Sequence, residues 1–316
     1  MARLGILFPG QGAQHPGMGR PLWERFAVVR GIFAEASDVL GRDVQALCFD
    51  SSEEDLRETD LAQPALYVVG YAGWLALGEV LGDDLEVVVG AGHSLGEYTA
   101  LAAAQSYSFA DGLRLVAERG RLMRRAGDDA AGVMVAIIGL NGEGVEEVCA
   151  SVRTRCGPHD LVVVANDNAP GQIVISGTPA AVELASQSAR ERGARRVVPL
   201  ATSGAFHSPL METVAVALSQ AIESTAIIRS AHPIIANSTA LPIQEPAEIR
   251  AELSQQLSAR VRWVDSVRRM KDYQCDALVD VGPGQVVAGL ARRIDSSLTV
   301  LSIGDGDQVD AVVQSL

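Results

Sequence analysis

One stretch constrains this chain more than any other: a strand that ends in a serine elbow. Residues 85–91 are apolar and valine-rich and read as a central strand. They run directly into Gly92-His93-Ser94-Leu95-Gly96, and the alanine-rich residues 97–104 behind them read as a helix. A G-x-S-x-G pattern between strand and helix makes a sharp turn that lifts the serine hydroxyl clear of the sheet. Its glycines let the helix pass close to the strand. The helix N-terminus adds free backbone N–H groups and a partial positive charge. A strand of this kind is expected in an α/β protein whose sheet is largely parallel.

The remaining segments are consistent with that frame. Residues 4–8 read as a buried strand stopped by Pro9-Gly10, followed by a glycine-rich loop through Gly17. Helices are expected over 21–40, 65–80 and 109–125, with Pro64 near the first turn of the second. Past Gly127 the pattern changes. Strands at 132–140, 161–165, 172–176 and 196–200 and helices at 144–152 and 179–192 give the order β-α-β-β-α-β of a small ferredoxin-like unit. We therefore expect a large α/β-hydrolase-like domain with a parallel sheet, formed by residues 1–129 and 202–316. A ferredoxin-like subdomain, residues 130–201, is inserted in it. Alternation resumes afterwards at 210–225, 234–236, 246–257, 261–270, 277–281 and 286–294.

Composition narrows the function. With 48% hydrophobic and 21% charged residues, the 316-residue chain has ample core material and is not disordered. A net charge of -13 argues against nucleic acid or an anionic membrane as partner. The four cysteines show no CxxC spacing, so neither a zinc site nor a disulfide framework is expected. No apolar run approaches the roughly 20 residues of a membrane span. The N-terminal apolar stretch is too short for a signal peptide, so a cytoplasmic protein is expected.

A serine nucleophile needs a base, and the chain has five histidines. The ring of His93 should point away from a tight elbow, His159 falls within the insert, and His232 precedes Pro233. His15 lies in the first glycine-rich loop. His207, in Gly204-Ala205-Phe206-His207-Ser208-Pro209, lies where the chain returns from the insert, a junction that suits an active-site residue. Elimination favours His207 but leaves a purely structural histidine open. The amide of Leu95 is a natural oxyanion donor. The Gln11 loop offers a second, with a simple tight turn as the alternative. Arg119 on the 109–125 helix reads as a solvated face unless the substrate carries a carboxylate, which a guanidinium grips through two parallel hydrogen bonds.

Several of these stretches together resemble one family, the malonyl-CoA:acyl-carrier-protein transacylases and related polyketide acyltransferases. Phe8-Pro9-Gly10-Gln11-Gly12, Gln63-Pro64-Ala65-Leu66, Gly92-His93-Ser94-Leu95-Gly96-Glu97-Tyr98 and Arg119-Gly120-Arg121-Leu122-Met123 carry the resemblance in the first half. The run from Asn166 to Gly177, Ala205-Phe206-His207-Ser208, the segment from Gln256-Leu257 to Val261-Arg262-Trp263, and Val281-Gly282-Pro283-Gly284 carry it in the second. The resemblance implies that Ser94 takes the acyl group, that His207 is its base and that an oxygen of Gln256 orients His207. It implies an oxyanion hole from the amides of Gln11 and Leu95, and Arg119 as clamp for the malonyl carboxylate. Phe206 and Asn166 would be further substrate-binding residues, Phe206 being the type associated with malonyl selection. No metal or bound cofactor is implied. The substrates would be malonyl-CoA, a CoA thioester, and the phosphopantetheine thiol of an acyl carrier protein, served by a monomer. A thioester hydrolase of the same fold and a trans-acting polyketide acyltransferase with another extender unit are the competing readings. The chain departs from the family pattern at Gln105-Ser106-Tyr107, where small residues are usual, at Ala13, and at Arg260, which replaces a frequent proline near the Gln256 segment.

Overall fold

A computed structural model describes residues 2–82, 85–129, 132–202, 204–304 and 306–316. Among the described residues ten strands form two sheets. They are β1 (Ala2–Phe8), β2 (Leu85–Gly92), β3 (Val133–Ile138), β4 (Val162–Ala169), β5 (Gln172–Gly177), β6 (Arg196–Pro199), β7 (Ile234–Ile235), β8 (Pro242–Ile243), β9 (Ala277–Val281) and β10 (Val300–Ile303). The larger sheet runs β10-β9-β1-β2-β7-β8, parallel from β10 to β7 and closed by the antiparallel edge strand β8. Leu4, Ile6, Leu7 and Phe8 of β1 and all of β9 are buried, as expected of central parallel strands covered on both faces.

The smaller sheet is wholly antiparallel in the order β6-β3-β5-β4, the ferredoxin-like arrangement. Its two-residue period divides the labour. Val135, Ile137, Ile173 and Ile175 pack on the unit's own helices, Gly142–Arg153 and Pro179–Glu191. Met134, Ala136 and Val174 face the other way, against Met123, Phe206 and Met211 of the larger unit. A β-bridge between Asn166 and Val261 also joins the two units, with Val261 N–H donating to Ala165 O at 2.8 Å and Asp167 N–H to Val261 O at 2.9 Å. The expected boundary at 129/130 adjoins residues 130 and 131, which lie outside the described residues.

Some elements differ from expectation. The 21–40 helix is two, Arg20–Arg25 and Ala27–Leu40, broken where Phe26 takes extended angles. The helix bearing Pro64 starts earlier and spans Thr59–Leu81, so its proline sits inside the helix. By length and composition this helix could cross a bilayer, contrary to the reading of the sequence. Here it is mostly buried, packed against the Phe109–Asp129 and Ala27–Leu40 helices. Helix Val44–Phe49, strand β10 and helix Gly306–Ser315 had not been foreseen.

Candidate active site

Strand β2 ends at Gly92, and helix Leu95–Ala103 starts immediately after Ser94. The turn is so tight that a Cβ on Gly92 would lie 1.9 Å from the carbonyl carbon of Gly96, and one on Gly96 2.2 Å from the oxygen of Phe8. Only glycine fits either place. Ser94 itself takes φ 51° and ψ -102°, a conformation that costs a serine energy and must be held by its surroundings. Two neighbours hold it: Ser94 N–H donates to Asn237 Oδ1 at 2.7 Å, and Ser94 C=O accepts from Gln256 Nε2 at 2.9 Å.

His207 meets the serine. Its Nε2 lies 2.8 Å from Ser94 Oγ, and its Nδ1 lies 3.1 Å from both the Gln256 and Ala259 carbonyls. Carbonyls only accept, so Nδ1 carries the ring proton and Nε2 is bare to receive the hydroxyl's. Burial, helped by the nearby Arg119 and His93, pushes the imidazole down to about 3, which keeps it in the neutral, basic form. The Gln256 oxygen that faces His207 is thus the backbone one, and it shares Nδ1 with the Ala259 carbonyl. The Gln256 side chain binds Ser94 O, Glu97 Oε2 and Arg119.

Arg119 is not on a solvated face; it is 1% exposed. On the Phe109–Asp129 helix it shares a stripe with Leu115, Val116 and Met123, at the i±3 and i±4 spacing that turns a side chain inward. Nη1 donates to Gln63 Oε1 at 2.7 Å, and Nη2 donates to Ser94 Oγ at 2.9 Å and Gln256 Oε1 at 3.3 Å. The Tyr98 ring lies 5.4 Å away. Nε is buried and donates to nothing among the described residues. The neighbouring Glu97 is also buried, and that burial, with Glu252 close by, raises its carboxyl well above the usual range.

A cavity of about 290 Å³ joins these groups, lined by Ser94, His207, Arg119, Gln11, Leu95, Phe206 and Asn166 among others. The structure thus brings together all the site residues singled out in the sequence; Gln256 alone does not line the cavity, being buried where it bonds Ser94, His207 and Arg119. Among the described residues the amides of Gln11 and Leu95 donate to no one. Met123, Met134, Val174 and Leu200 give the cavity apolar walls. His93 also lines it, but its Nε2 is bound to Asn168 Oδ1 at 2.8 Å and its ring packs edge-on against Trp263. Arg260 turns away from His207 and bridges to Glu146 at 2.6 Å and Asp167 at 3.3 Å. At the Gln105-Ser106-Tyr107 departure, Gln105 takes φ 60° and closes the helix, with Ser106 N–H donating to Leu101 O and Gln105 N–H to Ala102 O. Sequence reasoning assigned no role to Asn237, Gln63 or Glu97, although Gln63 and Glu97 lie inside quoted motifs. Among the described residues no group of three metal-ligating side chains comes together.

An α/β frame, an elbow serine bonded to a neutral histidine, and free amides beside it define the class of an acyl-transfer enzyme. The family model described as acyl transferase domain matches residues 6–308, and the chain belongs to that family. It is 37% identical over all of its length to the malonyl CoA-acyl carrier protein transacylase of Bacillus subtilis, covering 98% of that protein. An acyl carrier protein S-malonyltransferase from Vibrio cholerae superposes with a TM-score of 0.92 at 39% identity, covering 98% of this chain and 99% of that one. A malonyl-transacylase solved in complex with a type II PKS acyl-carrier protein superposes with a TM-score of 0.94 at 36% identity, covering both chains fully.

Proposed function

We propose that this chain moves a malonyl group from malonyl-CoA to the phosphopantetheine thiol of an acyl carrier protein, in fatty acid or polyketide synthesis. The observation that carries the substrate choice is the buried Arg119 guanidinium. It lines the cavity beside Ser94, among the described residues no carboxylate forms an ion pair with it, and the nearby Glu97 carboxyl is raised well above its usual range. A buried cation without a paired carboxylate calls for an anion, and the malonyl carboxylate supplies one.

In this reading Ser94 Oγ attacks the thioester carbonyl as its proton passes to His207 Nε2. The Gln11 and Leu95 amides hold the oxyanion, and the tetrahedral adduct collapses with the CoA sulfur taking the proton back from His207. The carrier thiol then gives its proton to His207, attacks the malonyl-serine ester, and restores the Ser94 hydroxyl. Phe206 and Asn166 bound the acyl group. A thioester is already activated, so the chemistry calls for no metal or redox cofactor. The work is divided between a large domain of residues 1–129 and 202–316, which holds Ser94 and His207, and a 130–201 subdomain that closes the cleft. We place the enzyme in the cytoplasm, where its CoA thioester is found.

Incubation with malonyl-CoA followed by mass spectrometry tests this. The expected result is a malonyl adduct on Ser94, absent in Ser94→Ala and discharged faster by holo carrier protein than by water. Rapid release of free malonate would mark a hydrolase instead, and the absence of any adduct would sink the reading.

A further inference from the structure

Asn237 follows the two-residue strand β7, is 1% exposed, and commits its whole carboxamide to the elbow. Oδ1 accepts from Ser94 N–H at 2.7 Å and Nδ2 donates to Gly92 C=O at 2.7 Å. Donor and acceptor chemistry fixes which way the amide faces. Its backbone is anchored as well: N–H donates to Glu97 Oε1 at 3.2 Å, and C=O accepts from Arg262 N–H at 2.8 Å. One side chain therefore grips the chain on both sides of His93, where the sharp turn carries the backbone out of the β2 ladder. Ser94 N–H, tied to Asn237, is also kept out of the cavity, which leaves the oxyanion to the Gln11 and Leu95 amides.

The geometry points to Asn237 as a positioning residue for acyl transfer, holding Ser94 in the strained positive-φ conformation that sets Oγ between His207 and Arg119. This rests on Ser94 being the acylated residue, as proposed above. Its effect should fall on the chemical step, because a small displacement of a nucleophile costs rate far more than binding.

Two substitutions test it, Asn237→Asp and Asn237→Ala, each read as the rate of Ser94 acylation by malonyl-CoA from about pH 5 to 9. A protonated aspartate reproduces both bonds, accepting from Ser94 N–H and donating to Gly92 C=O. An ionised one lacks the donor and sets its charge against the Gly92 oxygen. Burial and the nearby carboxylates Glu97 and Glu252 would raise its pKa, while Arg119 and Arg262 oppose them; His207 lies across Ser94 and stays neutral. Asn237→Asp should therefore acylate at close to the parental rate at low pH and lose rate as pH rises, a descending limb that the parent lacks. Asn237→Ala should lose about 10- to 100-fold in kcat at every pH, with KM moved less than about threefold. A parental pH profile in Asn237→Asp, or a parental kcat in Asn237→Ala, would overturn the proposal. Should Asn237→Ala fail to fold, the Asn237→Asp profile decides alone. Loss of the melting transition in both would also overturn it, since Asn237 would then be a folding residue. Failure of the parent itself to form a Ser94 adduct would count against the proposed function instead.

Discussion

Replacing Arg119 by alanine tests the group proposed above to select the substrate. The guanidinium bonds Gln63, Ser94 and Gln256, and lines the cavity with no ion-paired carboxylate among the described residues. A malonyl carboxylate entering the cavity gains charge-assisted hydrogen bonds from it, whereas an acetyl group gains none. A hydrogen bond to a charged group, lost from a buried site built to make it, costs about 2–4 kcal/mol, or roughly 30- to 1,000-fold in the malonyl-to-acetyl ratio. The ratio is the right quantity, because Arg119 also donates to Ser94 Oγ and its loss slows both substrates together. A second effect sets the conditions. Arg119 helps to hold the His207 imidazole down, so its removal moves that pKa up toward the ordinary value near 6.5. Rates should therefore be compared near pH 8, where the imidazole is neutral in both proteins. The assay is single-turnover acylation of Ser94 by malonyl-CoA and acetyl-CoA, followed by mass spectrometry, with a melt on each protein. A variant that folds and keeps the parental malonyl-to-acetyl ratio would refute the clamp.

Three further outcomes are expected. The base form of His207 exists above its pKa and is lost as pH falls through about 3, so kcat/KM should hold down to about pH 5; an acid midpoint near 6.5 would contradict the burial argument. Asp280 is buried, with one oxygen accepting from Ala288 N–H and the other without a partner among the described residues, and burial pushes its carboxyl up to about 7 from 3.8. Its folded pKa is the higher one, so the stability present below about pH 4 is lost as pH rises to 7, at about 1.4 kcal/mol per unit. The carboxamide introduced by Asp280→Asn does not titrate, and the melting temperature of that variant relative to the parent should climb across that window. Exposed Gln105, at φ 60°, occupies the helix-closing place that glycine fills without strain, and Gln105→Gly should raise unfolding stability in urea by about 0.5–1 kcal/mol.

The elbow was legible because three signals coincide within residues 85–104: the valine run, the paired glycines and the alanine-rich helix. The ferredoxin-like unit was legible because its apolar strand runs and helices follow one another in the order β-α-β-β-α-β with short connections. Arg119 was underread. The apolar neighbours Leu115, Val116 and Met123 on its helix already put position 119 on the buried stripe, a signal that the solvated-face expectation passed over. Asn237 offered less. It owes its place to a two-residue strand that reaches β2 from far along the chain, and no local period reports such a pairing. Gln256 was found only through the resemblance, and the use of its backbone oxygen is invisible in a side-chain pattern. Strand β10 is four residues long and half-buried at an edge, so it lacks both the length and the unbroken apolar run that mark a central strand.

The order of strands in the larger sheet has a consequence for how the molecule is made. Strand β1 leaves the ribosome ahead of its neighbours, yet it is flanked by β2 on one side and β9 on the other. One of its edges stays open until residues 277–281 have been translated, while the antiparallel sheet, drawn only from residues 133–199, has every partner to hand much sooner. The nascent chain thus carries a ready-built inner module inside an unfinished shell, with the apolar Thr59–Leu81 segment waiting for cover. Such an intermediate invites chaperone attention, and truncation before β9 should yield aggregates rather than a smaller soluble enzyme.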